Sequence, residues 1–371
     1  MSANFYVNIL DSSGDIAAIC DMAVLSALRY ERKLNSVGVA SFTLPADDAR
    51  AALIHKHTWF EIFRCPDLTT TQHEGTYMVV LRDRFVDDDG VEWLIVSGAS
   101  LEYLLKQRII DPRNDPLAAG GWSTKQDAVD SLMAELVSEQ AGPGASAHGS
   151  TPSQQIPGLT VPTPAGVGDV VPFRDAWSEL LDALQRLAAK DRMDFRIERT
   201  SGTALQFLAE TIGEDKTKTA NYPGSPYVTL SADLGTLKLP RLTEDWREEK
   251  TVVYLLCRGA GDNREFYGSL ASNWSETVYS YAAVVKDVRE AENATEYIEQ
   301  AEQELFNHRA KQSFSFETER PGELYRDVWD LGDFVTVTWG DYEADMRIVS
   351  VIVDVLDDGE KVKVAVRKRY E

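Results

Sequence analysis

Three histidines are the residues whose type and spacing come nearest to suggesting chemistry. His55 and His57 alternate within LIHKHTWFE, so on a strand both imidazoles point the same way, and His73 follows on what reads as a neighbouring strand. Three converging imidazoles make a zinc site. The spacing is unspecific, however, and no Cys pattern accompanies it, so a solvated strand end is the preferred reading. No His-Glu-x-x-His helix, Gly-x-Ser-x-Gly elbow or phosphate loop occurs. CRGAGDN (257–263) has the glycines of a phosphate loop but lacks its Lys-Ser/Thr and is flanked by strand patterns, so it reads as a hairpin loop. Asp87-Asp88-Asp89 and Asp357-Asp358 fall in predicted turns, where Asp bonds to local backbone. A glycosidase needs two carboxylates across a cleft, and 60 acidic residues leave no such pair identifiable. Cys20, Cys65 and Cys257 are odd in number and widely spaced, as separate buried or half-exposed thiols are. No catalytic, cofactor-binding or metal-ligating residue is assigned, and no cofactor is implied. The chain reads as a structural protein rather than an enzyme.

The elements that would position any site are mostly strands. VASFTLP (39–45) alternates, with Phe42 and Leu44 on one face, and WFEIFR (59–64) is apolar on both faces. TYMVVLRDRFVDDDGVEWLIVSG (76–98) reads as a hairpin about an Asp-Asp-Gly turn. The chain is then expected to turn at Gly98 into a short helix carrying Leu101, Leu104 and Leu105. Within 123–140, Ser123 and Gln126 are spaced as a capping box before an apolar face of Val129, Leu132, Leu136 and Val137. Residues 141–172 are rich in Gly and Pro and nearly uncharged, so they are expected to form a long extended loop that orders by reaching over a neighbour. A second helix has Trp177, Leu180, Leu181, Leu184 and Leu187 on one stripe. DFRIER and ALQFLAE then pair through Ser201-Gly202. Strand patterns return over 226–239 and 250–268, and a Glu-rich helix over 291–311 is expected to bury Ile298, Ala301 and Leu305. The remainder is again β.

The last hairpin, DMRIVSVIVDVLDDGEKVKVAVR (345–367), repeats the turn residues of the first. Thr76 to Gly90 and Asp345 to Gly359 are equally separated, and each hairpin is preceded by a Ser-Phe strand and then a second strand. An Asp-Gly turn alone proves nothing, since it is the commonest hairpin signal. Three strands in the same order argue for two copies of one antiparallel β unit, with Val86 corresponding to Val355 and Ile95 to Val364. The expected fold class is α+β and β-rich: two small antiparallel β-barrel domains with helical α+β inserts. The expected map is a first barrel over 1–115, an α+β insert over 116–225, strands over 226–285 that complete the first barrel and start the second, a helical insert over 286–311, and the second barrel over 312–371.

This order resembles that of the siphophage tail-hub proteins, the N-terminal module of tail-associated lysins and relatives of the baseplate hub of contractile-tailed phages. The resemblance spans essentially the whole chain. It is carried by Gly98, Leu101, Leu104, Leu105 and Arg108 in the first half, and by Leu331-Gly332-Asp333 with Val335 and Val337 in the second. It implies a homotrimer whose paired barrels form a pseudo-sixfold ring. Such a hub joins a sixfold distal tail ring or tail tube to a threefold tip, beside the tape measure protein and tip or fibre proteins, and surrounds the genome-ejection channel. Many relatives continue into a hydrolase or fibre; this chain stops at Glu371, so a lytic or receptor-binding role is not expected of it.

Composition bears on these readings. A chain of 371 residues makes roughly two to three domains. The formal charge of −22 disfavours a conventional nucleic-acid binder and suits a lumen through which DNA slides without specific binding. The apolar runs are too short to span a bilayer and the N-terminus lacks a signal-peptide pattern, so no membrane insertion is expected; synthesis in a host cytoplasm and residence in the virion tail tip are. Trp122, Trp274 and Trp329 are candidates for subunit contacts, with a core role an equal alternative for each. Two rival functions remain: a cell-wall hydrolase acting during entry, and the hub of a contractile injection system or gene-transfer particle.

Overall fold

The computed structural model describes residues 4–368, apart from 68, 117, 119–120, 122, 192, 225, 260–263, 272–273, 275–279, 289–293, 320–323 and 357–358. Seven strands open the chain: β1 (Asn4–Leu10), β2 (Ile16–Asp21), β3 (Ala27–Lys33), β4 (Val39–Pro45), β5 (Trp59–Cys65), β6 (Gln72–Val86) and β7 (Glu92–Ser100). An α+β insert follows, with α1 (Tyr103–Lys106), β8 (Ser123–Ala128), α2 (Val129–Gln140), β9 (Leu159–Thr160), β10 (Val170–Asp175), α3 (Leu180–Asp191), β11 (Asp194–Ser201), β12 (Ala204–Glu210) and α4 (Lys218–Asn221). After β13 (Thr229–Ser231) and β14 (Leu237–Asp245) come β15 (Val252–Leu256), β16 (Phe266–Leu270), β17 (Ala283–Asp287) and α5 (Ala294–Asn307). The chain ends with β18 (Lys311–Thr318), β19 (Phe334–Trp339), β20 (Tyr342–Leu356) and β21 (Gly359–Lys368).

The β-rich α+β class expected from the sequence is the one observed, and the duplication is visible in its topology. One sheet of 13 strands runs β14-β18-β21-β20-β3-β4-β7-β6-β5-β1-β2, with β19 pairing β20 and β13 pairing β19. Its first half contains the path β3-β4-β7-β6-β5-β1, and its second half the path β14-β18-β21-β20-β19-β13. Each strand of one path has its counterpart at the same place in the other. Both long hairpins also carry a bulge at the same point. The ladder skips between Val79 and Leu81 in β6 and between Ile348 and Ser350 in β20. The extra residues, Val80 and Val349, each stand four places after the matched Thr76 and Asp345. A bulge bends its strand and sets the register beyond it, so sharing one is a stronger sign of common construction than sharing a turn. The two copies differ at one margin: β1 runs antiparallel to β5, whereas β13 runs parallel to β19.

Each half buries its own apolar face. Phe42, Leu44, Phe60, Ile62, Leu94 and Val96 are buried in the first, and Phe314, Phe316, Val335, Val337, Val362 and Val364 in the second. The insert packs α2 and α3 over β11 and β12, burying Val129, Leu132, Leu136, Val137, Leu180, Leu184, Phe195 and Phe207 in one cluster. The chain divides into two compact units, Met1–Pro240 with Phe316–Glu371, and Arg241–Ser315. In the second unit β15 lies between β16 and β17, and Val253, Leu255, Ala301 and Leu305 form its core.

Several local expectations change. The residues over 226–285 were expected to serve both barrels; β13 and β14 pair with β19 and β18, and β15 to β17 form a separate sheet. Gly98 does not turn the chain but lies within β7. Ser123 and Gln126 form no capping box, because 123–128 is a strand paired with β10 and the Ser123 hydroxyl donates to buried Asp115. Trp177 is not on the α3 stripe: it precedes the helix, is exposed, and lies under the Arg113 guanidinium. Ile298 is exposed on α5 while Ala301 and Leu305 are buried. The stretch 141–172 contains β9 and part of β10, and buries Ala141, Ile156 and Leu159 in the insert's own core. Those three residues therefore pack within the chain itself. In the hairpins, Val364 corresponds to Val96 rather than Ile95, since Ile348–Val366 and Val79–Gly98 are the matched pairs.

Candidate assembly surface

The three histidines do not converge. His55 and His57 lie in the exposed turn before β5, where His57 has a φ of 67°, and only His73 is on a strand. His73 packs against the Phe63 ring and sits 3.6 Å from Glu61; burial lowers its pKa although Glu61 works against that. Among the described residues no three His, Cys, Asp or Glu side chains gather as metal ligands would. β15 and β16 flank the 257–263 loop as a hairpin, but residues 260–263 lie outside the described residues, as do Trp122 and the second acidic turn, Asp357-Asp358. Trp329 is buried against Tyr325, a core position rather than a contact surface, and Trp274 is half-buried. Cys20 and Cys257 are buried and Cys65 half-buried, all as free thiols; burial pushes Cys20 up to about 11.

What the sequence does not announce is a buried ionic joint between the two copies. Arg64 on β5 donates from Nε and Nη2 to the Glu360 carboxylate on β21, at 2.9 and 2.6 Å, and from Nη1 to Gln72 at 2.9 Å. Its guanidinium lies 5.4 Å from the centre of the Tyr325 ring. The Tyr325 hydroxyl donates to Glu74 at 2.7 Å and accepts from Arg32 at 3.0 Å, while Arg32 also reaches Asp330 at 2.6 Å. Burial alone would lower the Arg64 pKa, but the hydrogen bonds and charge of Glu360 raise it overall. Burial would likewise raise Asp330, but Arg32 and Arg326 hold it below the usual carboxylate range. Every charge in the joint has an opposite partner, as buried charges require.

A second anchor ties the insert to both copies. Asp194 at the start of β11 takes both terminal nitrogens of Arg347, the side-chain amide of Asn35 at 2.7 Å and the Ile212 backbone N–H at 2.9 Å. Asp333, in the Leu-Gly-Asp stretch, accepts from the Glu214 N–H at 2.8 Å and from Lys216 at 2.9 Å. Gly332 has a φ of 95°, and a Cβ there would fall 2.7 Å from the Ile212 carbonyl oxygen, which explains glycine before that aspartate. Arg108 donates to the Gln154 carbonyl at 2.8 Å, holding the 141–160 stretch to α1. A cleft of about 530 Å³ opens here, lined by residues of both signs that include Glu31, Arg32, Glu74, Arg199, Arg326 and Asp330. Arg32, Arg326, Glu74 and Asp330 are paired among themselves and Arg199 with Glu61, which suits a rigid frame more than a substrate site.

The rigid frame presents an uneven surface. The outer half of β6 and its turn expose Val80, Leu81, Phe85, Val86 and Val91, a concentration of apolar side chains that an isolated edge strand avoids. A frame built twice, locked at its centre and apolar at one margin, has the physical attributes of an assembly component.

Residues 6–366 match the family described as Siphovirus ReqiPepy6 Gp37-like protein. The chain belongs to this family. Among curated proteins no sequence match is found. Solved structures of phage tail proteins share the fold. The tail protein from Neisseria meningitidis MC58 superposes with a TM-score of 0.59 at 13% identity, over 99% of this chain and 97% of that one. The prophage MuSo2 43 kDa tail protein from Shewanella oneidensis gives 0.58 at 13% identity, over 98% of each chain. Prophage tail protein gp18 from Listeria monocytogenes EGD-e gives 0.51 at 9% identity, over 99% of this chain and 95% of that one. Full-length coverage at such low identity means that the strand path and inserts persist while the side chains do not. No helix among the described residues is long and apolar enough to cross a membrane.

Proposed function

We propose that three copies of this chain form the hub of a phage tail tip, each contributing two like β units to a ring around the genome-ejection channel. The observation that carries this reading is the duplicated strand path with its shared bulge. Contacts in a closed ring repeat with its symmetry, so three subunits bearing two like units each can meet a sixfold distal tail ring or tail tube while offering threefold symmetry to the tip. The tape measure protein and tip or fibre proteins are the further neighbours this position implies. The formal charge of −22 favours passage of DNA without adhesion, since an acidic wall repels phosphate. Localisation in the virion tail tip follows from the same reading.

Light scattering on the purified chain, and a reconstruction of the intact particle, test the proposal. A three-chain mass and three copies beneath a sixfold ring are expected. A particle carrying one or six copies overturns the hub assignment, and a channel lined with Lys and Arg overturns the electrostatic part. A zymogram on bacterial cell walls is expected to stay unlysed; clearing by the pure protein would restore the hydrolase reading.

A further inference from the structure

The two long hairpins are built alike but treated differently, and the difference points to where copies of the chain meet. In β20 the inner half, Tyr342–Arg347, pairs with β19, and the outer half, Ser350–Val355, pairs antiparallel with β3. Covered in this way, Val351, Val353 and Val355 are buried. In β6 the inner half pairs with β5 as far as Met78, but beyond the bulge β7 is its sole strand neighbour among the described residues. Every residue from Val80 to Val86 is exposed. Among the described residues no strand takes beside β6 the place that β3 takes beside β20.

The counterpart of β3 in the second copy is β14, which occupies the same position in the strand path and has β18 as its sole strand neighbour among the described residues. We infer that the outer half of β6 pairs with the open edge of β14 from a second copy of this chain, repeating between chains the β20–β3 contact made within one. This rests on the hub reading and names its subunit interface. Two unlike edges, each complementary to the other, make a head-to-tail contact, the kind that generates a ring when the rotation between copies closes.

Charge and composition fit the pairing. Within the chain, Arg29 of β3 meets Asp354 of β20 at 3.2 Å. Between copies each edge holds both signs: β6 carries Arg82 and Arg84 beside Asp83, and β14 carries Glu244 and Asp245 after Arg241. Pro240 has no N–H to donate, so the usable part of β14 is Arg241–Asp245, about the length that β3 supplies to β20. The apolar residues Leu81, Phe85 and Val86 then lie at a covered seam rather than on an open edge.

The test uses the full chain. Hydrogen exchange is compared between dilute single copies and the concentrated assembly, and amides of residues 80–86 and 241–245 are expected to gain protection together. The paired substitution Leu81→Lys with Phe85→Lys places charge on the edge without touching the β6–β7 ladder. It is expected to weaken assembly by at least about tenfold. Wild-type assembly by the lysine variant, or protection that spares either segment, overturns this inference and leaves the hub reading intact. A two-copy particle joined β6 to β6 also overturns it. A wild-type chain that stays a single copy at every concentration overturns the hub reading itself, before any variant is made.

Discussion

Arg64 and Glu360 stand 296 residues apart in the chain and form a two-pronged ion pair in which both side chains are almost wholly buried. They join a strand of the first β unit to a strand of the second. Removing one partner leaves the other charged and dehydrated, which costs more than the intact pair contributes. Glu360→Ala is therefore expected to destabilise the chain by about 3–5 kcal/mol. Replacing both residues with apolar ones of similar size is expected to cost much less. Urea denaturation of the single and double variants measures both, and equal losses would show that the pair is not shielded from water.

Tyr325 supplies the neutral link in the same joint, donating to Glu74 and accepting from Arg32. Tyr325→Phe keeps the ring under Arg64 but removes the donor to a buried carboxylate. A loss of about 1–3 kcal/mol is expected, the usual cost of a buried polar group left unsatisfied. The loss should be smaller in a background where Glu74 is already Gln, because the acceptor is then uncharged. Denaturation of the four members of this cycle decides the matter.

Gly98 illustrates how the two units reach one shape with different side chains. A Cβ at Gly98 would lie 2.5 Å from the Phe60 ring, which stacks on Tyr77 at 5.5 Å and meets Phe42 edge-on at 5.1 Å. In the second β copy the matched positions are Val335 for Phe60 and Val366 for Gly98, both buried. A large-and-none pair in one copy is a medium-and-medium pair in the other. Gly98→Ala is expected to destabilise by about 1–3 kcal/mol through overpacking. Gly98→Val combined with Phe60→Val should cost less than the sum of its parts, with a coupling of about 0.5–3 kcal/mol. Additive losses would mean that the cavity and the clash are relieved elsewhere.

The pattern of legible and hidden features follows from which interactions are local. The hairpins, the α2 and α3 faces and the duplication itself are written in alternation, helical spacing and turn residues, each set within a few neighbouring positions. Val129, Leu132, Leu136 and Val137 are buried as their spacing implies. The supposed capping box failed because Ser123 already had a partner in Asp115, a choice that local spacing cannot reveal. Trp177 and Ile298 have helical spacing, but where a stripe ends depends on the partner surface. The ionic joint was invisible for a stronger reason: Arg64 and Glu74 lie on neighbouring strands, but Tyr325 stands before β19 and Glu360 on β21, and nothing in any one segment marks these polar groups for burial. Correspondence between the copies was the one route to the assembly surface. It showed in the turn residues, but the place beside β6 that no described strand takes needed the strand pairing.

Glu139 provides a pH signature of the insert. Its carboxylate accepts from Lys125 at 2.9 Å, and that ammonium is shared with Glu135 at 2.8 Å and with Asp115 at 3.4 Å. Burial, reinforced by the like charges of Asp115 and Glu135, outweighs the help of Lys125 and pushes Glu139 up to about 7, from an ordinary value of 4.5. Between those values the folded chain holds a proton that the unfolded chain has lost. Stability therefore falls as pH rises through that window and levels off above it. Glu139→Gln carries no such proton, so the urea midpoint of the variant relative to wild type should rise steadily from about pH 4.5 to about pH 7 and then run parallel. Parallel curves across the whole range would mean that Lys125 fully offsets the effect of burial on this residue.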